Sequence, residues 1–167
     1  MTIIDTLLEN NRRYAVSYVG DLPLQPSKHL AVVACMDSRL DVFEMLGLGL
    51  GEAHIIRNAG GVITDDMIRS LTISQRKLGT REVVLVHHTN CGLNTFTDDE
   101  FDDLLVQETG ARPQWKTESF RDVDASVRES IRRIVNNPFV PHVDAVRGFV
   151  FDVHSGLLRE VAPAGLG

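Results

Sequence analysis

The chain has 167 residues, of which 43% are hydrophobic and 24% charged, and a formal net charge of -6. That length suits one domain with a sizeable core, and the composition excludes disordered and fibrous classes. The acidic balance argues against nucleic acid and anionic membrane surfaces as partners, which leaves a small molecule.

The N-terminal stretch MTIIDTLLENNRRY lacks the charged-then-apolar order of a secretory signal. Apolar runs are also far shorter than the ~20 residues of a membrane helix. A cytoplasmic protein is expected. Leu7, Leu8, Tyr14, Ala15 and Tyr18 fall at loosely helical spacing, which predicts a helix over 5–18 followed by the breaker-rich loop GDLPLQPS. HLAVVACM reads as the first strand, and EAHIIRNAGG as a second that ends in glycines. A helix follows, with Thr64 as N-cap, two aspartates in its first turn, Met67, Ile68, Leu71 and Leu78 as its apolar stripe, and Gly79 as its stop. EVVLVHHTNCG supplies a third buried strand.

Thr97 and Glu100 form a capping box ahead of Phe101, Leu104 and Leu105, and Gly110 ends that short helix. Ser119 is expected to open another, carrying Val123, Val127, Ile131, Ile134 and Val135 until NNP. VRGFVFDVHSGLLREV closes as a strand, a turn at HSG and a second short strand. Nearly continuous apolar strands alternating with helices predict an α/β protein, a mainly parallel sheet with helices on both faces. In such sheets sites form beyond the carboxyl ends of the strands, where CMDSR, RNAGG and HHTNCG all fall.

Strand alternation would set Cys35, Asp37 and Arg39 on one side. Two cysteines could pair as a disulfide, but a reducing compartment makes metal binding or catalysis the better explanation. Cys35 with the His88-x-x-Cys91 pair is a soft set suited to zinc. Three protein ligands leave one position for water, whose pKa zinc lowers to about 7 in known enzymes. Asp37 can accept a hydrogen bond from that water, held by Arg39, or swing onto the metal as a fourth ligand if Arg39 releases it.

Plainer readings compete at each position. Cys35 alone fits an inert core thiol, and Asp37 with Arg39 an ordinary ion pair at a strand end. Arg57 and Asn58 fit either a simple turn or supports for the site. His87 leaves the strand on the opposite side from His88 and is expected to be packed or hydrogen-bonded. A cysteine hydrolase with Cys35 as nucleophile and His88 as base leaves Cys91 unexplained. A non-enzymatic zinc module needs Asp37 or His87 as its fourth ligand.

The motifs CMDSR, IIRNAGG and HHTNCG, in that order and at these separations, resemble those of the β-class carbonic anhydrases over roughly residues 5–155. The motif more usual in that family is GHSxCG, so His87 stands where a glycine is common. The pattern is similar to the short subfamily, which also contains carbonyl sulfide hydrolases. The resemblance implies zinc held by Cys35, His88 and Cys91, a catalytic dyad of Asp37 and Arg39, and a substrate pocket at Asn58, Ala59, Gly60, Gly61 and Gly92. It implies reversible hydration of carbon dioxide to bicarbonate by metal-bound hydroxide, with hydrolysis of carbonyl sulfide as the alternative. It further implies a homodimer or dimer of dimers, with the active site near the subunit boundary. The whole chain, 1–167, is expected to be one zinc-enzyme domain, its N-terminal helical arm over about 1–20 packing on the partner.

Overall fold

The computed structural model describes residues 2–162; residue 1 and residues 163–167 of the expected domain lie outside them. The first helix, α1 (Ile3–Val16), starts two residues earlier than the apolar spacing suggests. Its start is set by a capping box, in which Thr2 accepts from the Asp5 amide and Asp5 accepts from the Thr2 amide. Ile3, Ile4, Leu7 and Leu8 are all more than half exposed, and no residue of the helix is buried. The arm therefore presents an apolar face to its surroundings rather than to its own core.

The sheet contains β1 (Leu30–Cys35), β2 (Ala53–Asn58), β3 (Glu82–His88), β4 (Val146–Phe151) and β5 (Leu158–Val161), in the order β2-β1-β3-β4-β5. The first four are parallel, and β5 returns antiparallel on β4 through the turn at His154–Gly156. Parallel neighbours need crossovers. The expected helices supply two of them: α3 (Asp65–Leu78) joins β2 to β3, while α4 (Asp98–Thr109) and α5 (Val123–Val135) lie between β3 and β4. The β1–β2 crossover contains α2 (Val42–Leu46), capped by Asp41 and closed by Gly47 at φ +61°. Five residues are too few to display a helical period, so this element was invisible to spacing.

One face of the sheet lies under the two long helices. Met67 and Leu71 of α3, with Val127, Ile131 and Ile134 of α5, close over Ala31, Val33, Leu85 and Val150. A Cβ at Gly148 would run into Val127 Cγ1, so glycine lets α5 lie directly on β4. The other face is covered by α2 and the segments beside it, where Leu40 and Val42 pack on Val32, Ala34, Val86 and Phe151. Helices thus flank the sheet on both faces as expected, but the second cover is short and leaves the strand ends open for a site.

Ser119 does not open α5. Asp122 caps it, accepting from the amides of Asp124 and Ala125. Ser119 instead donates its amide and hydroxyl to Asp98, whose carboxylate also takes the Glu118 amide. A serine offers a hydroxyl to either partner, and here the first turn of α4 won it.

Candidate metal centre

Cys35 ends β1, His88 ends β3, and Cys91 follows the Thr89–Asn90 turn, in which Asn90 adopts φ +54°. Their ligand atoms all lie within 4.8 Å of one another, and the three residues are 3%, 0% and 2% exposed. A tetrahedral zinc with bonds of about 2.0–2.3 Å requires ligand atoms about 3.5–4 Å apart, so this cluster needs little adjustment to accept one. His88 Nδ1 meets the Thr89 carbonyl at 2.9 Å; a carbonyl only accepts, so Nδ1 carries the proton and Nε2 presents a lone pair. That Nε2 is buried without a hydrogen-bond partner, as expected of an atom waiting for a metal.

The protonation of the cluster points the same way. The Cys91 thiol donates to Cys35, and this hydrogen bond, joined by His88 and the Asp37 amide, draws Cys35 down to about 4 against the effect of burial. The same hydrogen bond and burial push Cys91 up. Burial disfavours a charged His88, yet the neighbouring Cys35 raises its pKa overall. A thiolate, a thiol and an imidazole in contact form a soft donor set that binds divalent metal by releasing protons. No disulfide joins Cys35 and Cys91.

Asp37 and Arg39 reach the site by a different route from the strand alternation expected. β1 stops at Cys35, and the chain turns, with the Leu40 amide donating to the Asp37 carbonyl. Within that turn the Arg39 amide and Nε donate to Asp37 Oδ1, and Nη2 to Oδ2 at 2.7 Å. This bidentate grip holds the Asp37 carboxyl well below the usual carboxylate range, so it is ionised and acts only as an acceptor. Oδ2 stands 3.8 Å from His88 Nε2, beside the ligand cluster rather than within it. The arrangement is the one in which Arg39 retains the carboxylate.

The loop after β2 forms the wall. Asn58 donates its side-chain amide to the Val62 carbonyl, and Ala59–Gly61 make a 3₁₀ turn in which Gly60 and Gly61 are buried. A Cβ on Gly61 would stand 2.8 Å from the Cys35 amide nitrogen, so only glycine lets this turn lie against the strand end that bears the thiol. Gly92 lies beside Cys91 and is exposed, with open space around it. His87, fully buried, hydrogen-bonds through Nε2 to the Gly61 carbonyl and stacks on Phe120 at 5.7 Å, while burial lowers its pKa to about 4. It faces away from the cluster, which removes it as a fourth ligand.

Two contacts lay beyond sequence reasoning. Phe120 comes from the stretch before α5, and nothing in its spacing signals the stack on His87. Arg57, read as turn or support, lies one residue before the end of β2 and is a support: its guanidinium donates to the carbonyls of Cys35 and Asp37. A cavity of about 520 Å³ lies elsewhere, along the outer edge of β2 between Phe43, Leu50, His54, Ile73 and Leu78. Among the described residues no helix is long and apolar enough to cross a membrane.

A family model described as carbonic anhydrase matches residues 30–158. The chain is 60% identical over 163 residues to Beta-carbonic anhydrase 1 of Mycobacterium tuberculosis, covering 98% of this chain and 100% of that one. It is 31% identical over 177 residues to a carbon disulfide hydrolase of Acidithiobacillus thiooxidans, covering 93% of this chain and 87% of that one. The crystal structure of a carbonic anhydrase from Streptococcus mutans matches with a TM-score of 0.90 at 44% identity, covering 97% and 99% of the two chains. Fold, motifs and relatives agree from the first strand to the last, and the chain belongs to the β-carbonic anhydrase family.

Proposed function

We propose that this chain catalyses the reversible hydration of carbon dioxide to bicarbonate, with zinc held by Cys35, His88 and Cys91. The observation that carries the reading is an ionised carboxylate 3.8 Å from the lone pair of a three-residue soft donor set. Zinc bound there supplies a nucleophile at neutral pH by lowering the pKa of water to about 7, as it is known to do in carbonic anhydrases. Asp37 accepts the hydrogen bond of the attacking water and so turns an oxygen lone pair toward the substrate carbon. Arg39 keeps that carboxylate charged and fixed. Asn58, Ala59, Gly60, Gly61 and Gly92 are read as the wall against which a small linear substrate rests, and Gly61 lets that turn lie against the strand end that bears Cys35.

Hydrolysis of carbonyl sulfide to carbon dioxide and hydrogen sulfide is the second reading, favoured by the carbon disulfide hydrolase relative. The same nucleophile and the same residues serve either linear substrate. The cysteine hydrolase is disfavoured because Cys35 is only 3% exposed and its sulfur accepts the Cys91 thiol's hydrogen bond. Paired initial rates on one zinc-quantified preparation test the reading: proton release from carbon dioxide should exceed sulfide release from carbonyl sulfide. The opposite ratio would reverse the two readings, and turnover of neither substrate would sink both.

The assembly reading is that two copies pair through the arm. The exposed face of Ile3, Ile4, Leu7 and Leu8, and an open β2 edge flanked by an apolar cavity, support it. The chain is read as one domain, 1–167, on the strength of the single sheet among the described residues.

A further inference from the structure

We propose that Arg57 is a positioning residue for this reaction, acting through the main chain that carries Cys35 and Asp37; the inference rests on the reading given above. Its Nε donates to the Cys35 carbonyl at 2.9 Å and its Nη2 to the Asp37 carbonyl at 2.7 Å. The sheet register brings it there, because Ala34 pairs with Arg57 and Cys35 with Asn58. The last ladder-like bond of β1 is the Met36 amide to the Asn58 carbonyl, at 2.7 Å. Past that point the chain has left the sheet, and the segment bearing the dyad needs another anchor.

Arg57 is that anchor. It grips one carbonyl on each side of Met36 and so sets the angle at which the chain departs. The Asp37 side chain is aimed by Arg39, but its Cα stands only where the main chain puts it. Arg39, two residues on in the same turn, ties the Asp37 carboxylate to the Asn90 carbonyl beside Cys91, but it acts through its own side chain and cannot fix the main chain of that turn against the sheet. Arg57 belongs to the neighbouring strand and can. The task needs two donors in one rigid plane, which a guanidinium supplies and an ammonium does not. Arg57 is exposed, so water can satisfy the freed carbonyls in a variant, and the fold should persist without it.

The test compares wild type with Arg57→Ala, Arg57→Gln and Arg57→Lys, following zinc content, kcat, KM and amide exchange. Arg57→Ala and Arg57→Gln should keep one zinc per chain and a near-normal KM. Their kcat should fall between about tenfold and a hundredfold, as expected of a misplaced reacting group. Arg57→Lys, with one compact donor, should fall in between. Millimolar guanidinium should restore part of the kcat of Arg57→Ala and none of Arg57→Lys. Exchange at the Arg39 and Leu40 amides, both bonded to Asp37, should quicken.

Wild-type kcat in Arg57→Ala, or a loss matched by lost zinc or a raised KM, would overturn the proposal by making Arg57 a mere staple. Should Arg57→Ala not fold, a wild-type kcat in Arg57→Lys would overturn it equally. If the zinc-loaded wild type turned over neither substrate, the function reading would fail. The exchange comparison would still decide whether Arg57 sets the segment, and equal rates would overturn that.

Discussion

Arg39 Nη2 donates to the main-chain carbonyl of Asn90 at 2.9 Å while the same nitrogen holds Asp37. One guanidinium thus ties the loop that follows Cys35 to the loop that leads to Cys91. The carboxylate, the arginine and the far loop act as a unit.

Arg39→Ala should therefore keep zinc and lose turnover by at least about tenfold, since the carboxylate loses its aim. Adding Arg39→Ala to Asp37→Ala should cost little beyond Asp37→Ala alone, because Arg39 acts through that carboxylate. Stopped-flow carbon dioxide hydration on the two single variants and the double decides this. Losses that multiply would mean the two residues work separately.

Ligand and dyad should separate by metal analysis. Asp37→Ala is expected to retain about one zinc per chain with turnover reduced about a hundredfold or more. Cys91→Ala should lose the metal itself, to below about a tenth of a zinc per chain after dialysis. Stoichiometric zinc in Cys91→Ala would contradict its role as a ligand.

Loading with zinc should acidify a weakly buffered solution. Cys35 is ionised at neutral pH, but the Cys91 thiol is pushed up and keeps its proton until a metal displaces it. Affinity should weaken as pH falls, because protons compete for the same atoms. Titration at pH 6 and pH 8 checks the sign, and equal affinities would refute it.

Asp98 ties the start of α4 to the segment that carries Phe120. Burial opposes its charge, but hydrogen bonds from Ser119 and Glu118 outweigh it and lower its pKa below 3.8. A carboxylate depressed in the folded state contributes stability above its unfolded pKa and loses it as pH falls through the folded value. Asp98→Asn should cost about 1 kcal/mol in urea unfolding at pH 7, with the gap from wild type shrinking below about pH 4.

Leu8→Glu places a charge on the apolar face of α1 and should convert dimers to monomers by light scattering, leaving the sheet intact by circular dichroism. Unchanged mass would mean that copies associate elsewhere or not at all.

Much of this architecture was readable in advance because its signals are local. Thr64 and Thr97 cap the helices assigned to them, Gly79 and Gly110 end those helices, and β1 is apolar along its length. What escaped depends on contacts across the chain. Ser119 has the chemistry of a cap but was claimed by Asp98, more than a helix away. Asp37 and Arg39 were expected beside Cys35 by strand alternation; they arrive there through a turn and a side-chain grip. The ligand types were legible as Cys and His-x-x-Cys, whereas Arg57's hold on two carbonyls depends on sheet register, which spacing does not encode.

Cys35 meets the His88 and Cys91 pair only where β1 lies beside β3, so no short peptide from this protein gathers all three. A metal bound there recognises only the finished sheet. Zinc held there as proposed would stabilise the folded chain: at a hundred times its dissociation constant it would add about 2.7 kcal/mol against unfolding. A cell that starves the protein of zinc would on this account shorten its lifetime as well as silence its site.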